Sequence, residues 1–157
     1  MAPNLVTNVR LSFIKTRQAL QFTHSALNIF QQLHIFGLPP NPIKIVRYQD
    51  AIADLTNATI AFQALPLDVQ LPPNPILPPH PIFPPNLSNQ VIIKLAQDRT
   101  LLAMNRTEAS IQFIDAALAL SQSDTLTGLL AAIKDFQEEA LVALNDAFNL
   151  PPVATDS

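Results

Sequence analysis

The chain has 157 residues, enough for one domain with a real core. Charged residues are only 13% of it and the net charge is −3, so no basic footprint for nucleic acid exists and the polar surface must come largely from Asn, Gln, Ser and Thr. It has no cysteine, which excludes disulfides, a thiol nucleophile and Cys-ligated metal centres.

Four long helical segments follow from hydrophobic spacing. The first is expected from about Asn4 to Phe36, because Val6, Val9, Phe13, Thr16, Leu20, Thr23, Leu27 and Phe30 recur in steps of three and four. Gly37 then stands where a helix needs a left-handed residue to end. Asn41 followed by Pro42 reads as a cap and first turn, opening a second helix over about Pro42 to Leu65 with the stripe Ile45, Tyr48, Ile52, Leu55, Thr59 and Phe62. Pro66 stops it. After Ser88 a third helix is expected to about Gln122, along Thr100, Met104, Thr107, Ile111, Ile114 and Leu118. Asp124 is expected to cap the fourth, which runs to about Leu150 through Leu126, Leu130, Ile133, Ala140, Leu144 and Ala147. Residues 151–157 read as a frayed tail.

The two halves match. Shifting the first helix by 91 positions lays it on the third without a gap: Leu11 meets Leu102, Thr16 meets Thr107, Phe22 meets Phe113, Ala26 meets Ala117. The ends of helices 2 and 4 also rhyme, AFQALP against AFNLPP. A helical hairpin used twice is the expected plan, with hairpins at 4–65 and 88–150 in a single domain covering 1–157.

Between them, residues 66–87 form a proline-rich crossover. Within PPNPILPPHPIFPP the polyproline II period of three leaves two wholly apolar faces. Ile76, Leu77, Ile82 and Phe83 have no use on a solvated spacer, so these four are expected to pack on the bundle. Fourteen residues at about 3.1 Å reach roughly 43 Å, about the length of a 30-residue helix. The fold expected is therefore all-α: a four-helix bundle of two hairpins joined by a long, polyproline II-like strap, with helices 2 and 3 parallel. The alternative for the run is a PxxP docking peptide, but its nearest basic residues, Lys44 and Lys94, lie inside helices.

Two hairpins with one long crossover is also the architecture of ferritin-like proteins. Their di-metal chemistry needs Glu-x-x-His pairs, and none occurs. His24, His34 and His80 are scattered, so no metal or other cofactor is expected. Arg17, His24, Glu108 and Asp115 flank the apolar seams and are expected to reach water. An enzyme would need His24, Glu108 and Asp115 to converge. Lys134 and Glu138 are spaced for an i,i+4 pair on a solvated face of helix 4. Asn57, Asn86 and Asn105 begin Asn-x-Ser/Thr triplets, read as coincidence because MAPNLVTNVR does not resemble a secretory signal. No membrane span is seen, which leaves a cytoplasmic location as the default.

The remaining signal is surplus apolar surface. Phe22, Ala26, Ile29 and Leu33 make a second stripe on helix 1, and Phe113, Ala117 and Leu120 repeat it on helix 3. Small residues at Ser12, Ala19, Ala26, Ala103, Ser110 and Ala117 favour close helix approach. The second stripe is the candidate association surface. The expected function is a non-enzymatic, self-associating structural or scaffold protein, a homo-oligomer or subunit of a coat, shell or filament, with a protein partner as the other possibility. The alternative is a bundle that carries an apolar small molecule or lipid.

Overall fold

A computed structural model of the chain describes residues 4–33, 37–67, 71 and 88–153. Four helices form: α1 (Leu5–Gln31), α2 (Pro42–Gln63), α3 (Asn89–Leu120) and α4 (Asp124–Asn149). Each starts on a short polar side chain that accepts from an otherwise orphaned backbone N–H: Asn4 from Thr7 at 2.8 Å, Asn41 from Ile43 at 3.0 Å, Ser88 from Val91 at 3.3 Å and Ser123 from Leu126 at 3.3 Å. Ser123, not Asp124, thus caps α4, and Asp124 supplies negative charge in its first turn. α1 ends at Gln31 with Gln32 as its C-cap, and beyond it Gly37 has φ 84 and the Leu38 N–H reaches the Leu33 carbonyl at 3.1 Å.

The helices form a square in the order α1, α3, α4, α2, with each helix antiparallel to its neighbours. Phe13 meets Ile114 at one end of the bundle, and Phe30 meets Ile92 and Ala96 at the other. Across the diagonal, Tyr48 of α2 bonds Thr100 of α3, and Phe62 shares a core cluster with Ile114. Both pairs are offset by 52 residues, so α2 and α3 run parallel, as the strap length suggested. The chain between Leu67 and Ser88 accordingly joins opposite ends of the bundle. Ile76, Leu77, Ile82 and Phe83 lie outside the described residues.

The repeat is visible in the core. Six buried α3 positions, 100, 103, 107, 110, 114 and 117, fall on six buried α1 positions at the expected shift of 91. For the second helices the buried sets Lys44, Tyr48, Ala51, Leu55, Ala58, Phe62 and Leu126, Leu130, Ile133, Gln137, Ala140, Leu144 coincide at an offset of 82. The rhyme of their ends implied 86 instead. Matching tails are short and apolar, whereas the core register is set by packing along the whole helix.

α1 and α3 share the most extensive contact. Ser12, Ala19, Ala26, Ala103, Ser110 and Ala117 are all fully buried, as close approach requires. α1 is also enclosed on every side: from Leu11 to Leu33 none of its residues is exposed. The first tail residues are held rather than frayed. Asn41 donates its backbone N–H to the Pro152 carbonyl at 3.0 Å and its side-chain amide to the Pro151 carbonyl at 2.8 Å.

Candidate functional site

Three features carry polar chemistry. The first is a layer of buried hydroxyls and one amide in the bundle core. The Gln137 side chain, wholly buried, donates from Nε2 to Ser12 Oγ at 2.9 Å and to Thr16 Oγ1 at 3.1 Å. Both hydroxyls are already donors: Ser12 Oγ to the Ser110 carbonyl at 2.7 Å, Thr16 Oγ1 to the Ser12 carbonyl at 2.8 Å. The amide must therefore present its nitrogen to them, which leaves Gln137 Oε1 buried without a protein donor. Where ferritin-like bundles point carboxylates and imidazoles inward, this core presents hydroxyls and an amide, which are poor ligands for a transition metal. Among the described residues no three His, Asp or Glu side chains gather as a metal site.

The second feature is a clasp between the start of α2 and the end of α4. Lys44 is 1% exposed, bonds the Leu150 carbonyl at 3.1 Å and lies 5.5 Å from the Phe30 ring centroid. Burial draws its pKa down to about 8, while the ammonium satisfies a carbonyl that α4 leaves unpaired at its C-terminus. The third is an open groove along α2 and α4, lined by Arg47, Asp50, Asp54, Glu139, Val142 and Asp146. Arg47 pairs with Asp50 at 3.1 Å and lies 3.9 Å from Asp146. Asp54 is pushed up to about 6, by burial first and then by the charge of Glu139, with which it shares a hydrogen bond, and of Asp50. Val142, which lines this groove, is 62% exposed, and Ile43, Val46 and Ile60 stand in solvent on α2, as do Val91, Leu101 and Leu120 on α3.

The sequence-derived association stripe lies elsewhere. Ala26, Ile29, Leu33 and Ala117 are wholly buried within the chain, and Phe22 and Phe113 are half-buried. Of the seven, only Leu120 stands exposed, so within one chain the stripe is chiefly core. The surplus arises because small residues at the α1–α3 contact bring the helices close and widen the arc each helix buries. Arg17, expected in water, is 7% exposed and stacks over the Phe13 ring at 5.1 Å; burial lowers its pKa. Lys134 pairs not with Glu138 along α4 but with Asp115 across the hairpin at 2.7 Å, a bond that raises the lysine pKa. Glu108 lines a separate groove with Ile111 and Glu138. His24 of α1 lies near the level of Met104, about 16 Å along the axis from Asp115. His24, Glu108 and Asp115 therefore do not converge.

Lys44 and Gln137 escaped the sequence reading. Their only signal was position: Gln137 sits midway between Ile133 and Ala140, and Lys44 one turn before Tyr48, both on buried stripes. Among the described residues no helix is long and apolar enough to cross a membrane. Comparison of the chain with protein-family models, with curated proteins and with solved structures finds no match.

Proposed function

We propose that this chain is a non-enzymatic, self-associating structural or scaffold protein, a subunit of a larger homo-oligomeric assembly such as a coat, shell or filament. The observation that carries the proposal is the set of solvent-facing aliphatic side chains along α2 and α4. Ile43, Val46, Ile60 and Val142 are 45–62% exposed, in a chain with few charges overall. Covering the exposed half of each is worth about 1 kcal/mol, or roughly 8 kcal/mol over two copies. That falls within the ~4–15 kcal/mol that association must offset, so contacts of this kind support weak, concentration-dependent assembly and not a tight isolated dimer.

The test is sedimentation velocity on the wild type and on a chain with Ile60→Lys and Val142→Lys. Both sites are exposed, so the fold should persist while the distribution moves to slower species. Identical distributions, with the wild type assembled, would remove the α2/α4 ridge from the contact.

A further inference from the structure

We infer that copies of this chain join by exchanging hairpins: the α1–α2 hairpin of one copy packs on the α3–α4 hairpin of another, in place of its own. This rests on the self-association proposed above and gives it a contact other than the exposed α2 and α4 side chains.

The hairpins are held together mainly by each other. Among the described residues, the long-range side-chain hydrogen bonds cross from one hairpin to the other: Ser12 to Ser110, Gln137 to Ser12 and Thr16, Tyr48 to Thr100, Asn41 to Pro151 and Lys44 to Leu150. Within a hairpin the links are the Lys134–Asp115 ion pair at the surface and the ring contacts of Phe13 with Phe62 and Phe30 with Tyr48. The largest helix contacts, α1 on α3 and α2 on α4, are likewise between hairpins. The bundle is thus an intramolecular dimer of two units with coincident buried positions. A second copy offers the same complementary face with the same clasp.

The connection permits the exchange. Twenty residues separate Leu67 from Ser88, a reach of about 60 Å at ~3.1 Å per residue. The 32 residues of α3 measure about 48 Å. Exchange is reciprocal in a closed dimer and sequential in an open chain, the second giving a filament from one repeated contact.

The chain has no cysteine, so introduced pairs report the connectivity cleanly. Ser12→Cys with Ser110→Cys places a thiol on each side of the α1–α3 contact, and Ala51→Cys with Ala143→Cys does the same for α2–α4. Asp115→Cys with Lys134→Cys, within one hairpin, is the control. Each variant, checked for helicity, is refolded at low and high concentration, oxidised, and run on a denaturing non-reducing gel. Exchange predicts monomer at low concentration and, at high concentration, a covalent dimer (closed exchange) or ladder (open exchange) for both inter-hairpin pairs, with monomer throughout for the control. Assembly by light scattering with only monomer on the gel overturns exchange and leaves the outer ridge as the contact. Absence of assembly by both readouts overturns exchange and the proposed function together. Failure of one inter-hairpin pair to fold leaves the other to decide.

Discussion

Replacing Gln137 with leucine should change stability by no more than about 1 kcal/mol, although it removes a buried group that makes two hydrogen bonds. Each bond to Ser12 Oγ and Thr16 Oγ1 is worth about 1 kcal/mol net, so their loss costs ~2 kcal/mol. Against this, Oε1 is buried without a donor, a burden of ~1–3 kcal/mol that leucine removes. Neither hydroxyl becomes an orphan, because each still donates to a backbone carbonyl. Leu55 occupies the equivalent position of the other hairpin, about one turn away in the same core, so a leucine fits the repeated packing there. Gln137→Ala loses the same bonds and leaves a cavity, and should cost about 3 kcal/mol. Urea unfolding followed by helicity reads both, from midpoints at an unchanged slope. A leucine variant as unstable as the alanine variant would refute the reasoning, since it would mean that the amide is fully satisfied and strongly stabilising.

Other expectations follow from the same geometry. Asp54 is a more avid proton acceptor when folded, so the folded state binds more protons between about pH 6 and the ordinary value of 3.8. Stability should therefore rise as pH falls through that window, and Asp54→Asn should stabilise the fold at neutral pH by about 1 kcal/mol after solvent screening, raising its melting temperature, yet change little in acid; a lower melting temperature at neutral pH would contradict this. Gly37→Ala should cost about 1 kcal/mol because φ 84 is left-handed, whereas Gly128→Ala, mid-helix with open space around its Cβ, should gain ~0.5–1 kcal/mol. Opposite shifts in thermal midpoint are the readout. Phe83→Asp or Ile82→Asp in the crossover should destabilise the fold by roughly 1.5–3 kcal/mol if the apolar faces of the proline run pack as its period of three suggests. Unchanged urea midpoints would instead favour a free docking peptide.

Much of the fold was legible because it rests on local rules. The 3-4 stripe of α4 maps onto its buried set, Asn41–Pro42 acts as the cap its chemistry suggested, and Gly37 takes the left-handed backbone expected of it, although α1 ends at Gln31. The parallel run of α2 and α3 was legible from strap length, a constraint on reach and not on side-chain detail. What failed depended on partners distant in sequence. Lys134 chooses Asp115 over Glu138 because α3 presents its carboxylate across the hairpin. Ser123 outcompetes Asp124 for the cap by one residue, a difference spacing does not resolve. The second stripe lies mostly in the core of one chain, a placement that counting apolar positions along a helix does not resolve. Lys44 and Gln137 broke the polar-outside rule, each tolerated by partners on the other hairpin.

Static light scattering on the purified wild-type chain, through a concentration series from nanomolar to tens of micromolar, tests the central claim most directly. Self-association predicts an average mass that starts at the 17.2 kDa of one chain and climbs with concentration. A mass fixed at that value throughout the series would contradict it.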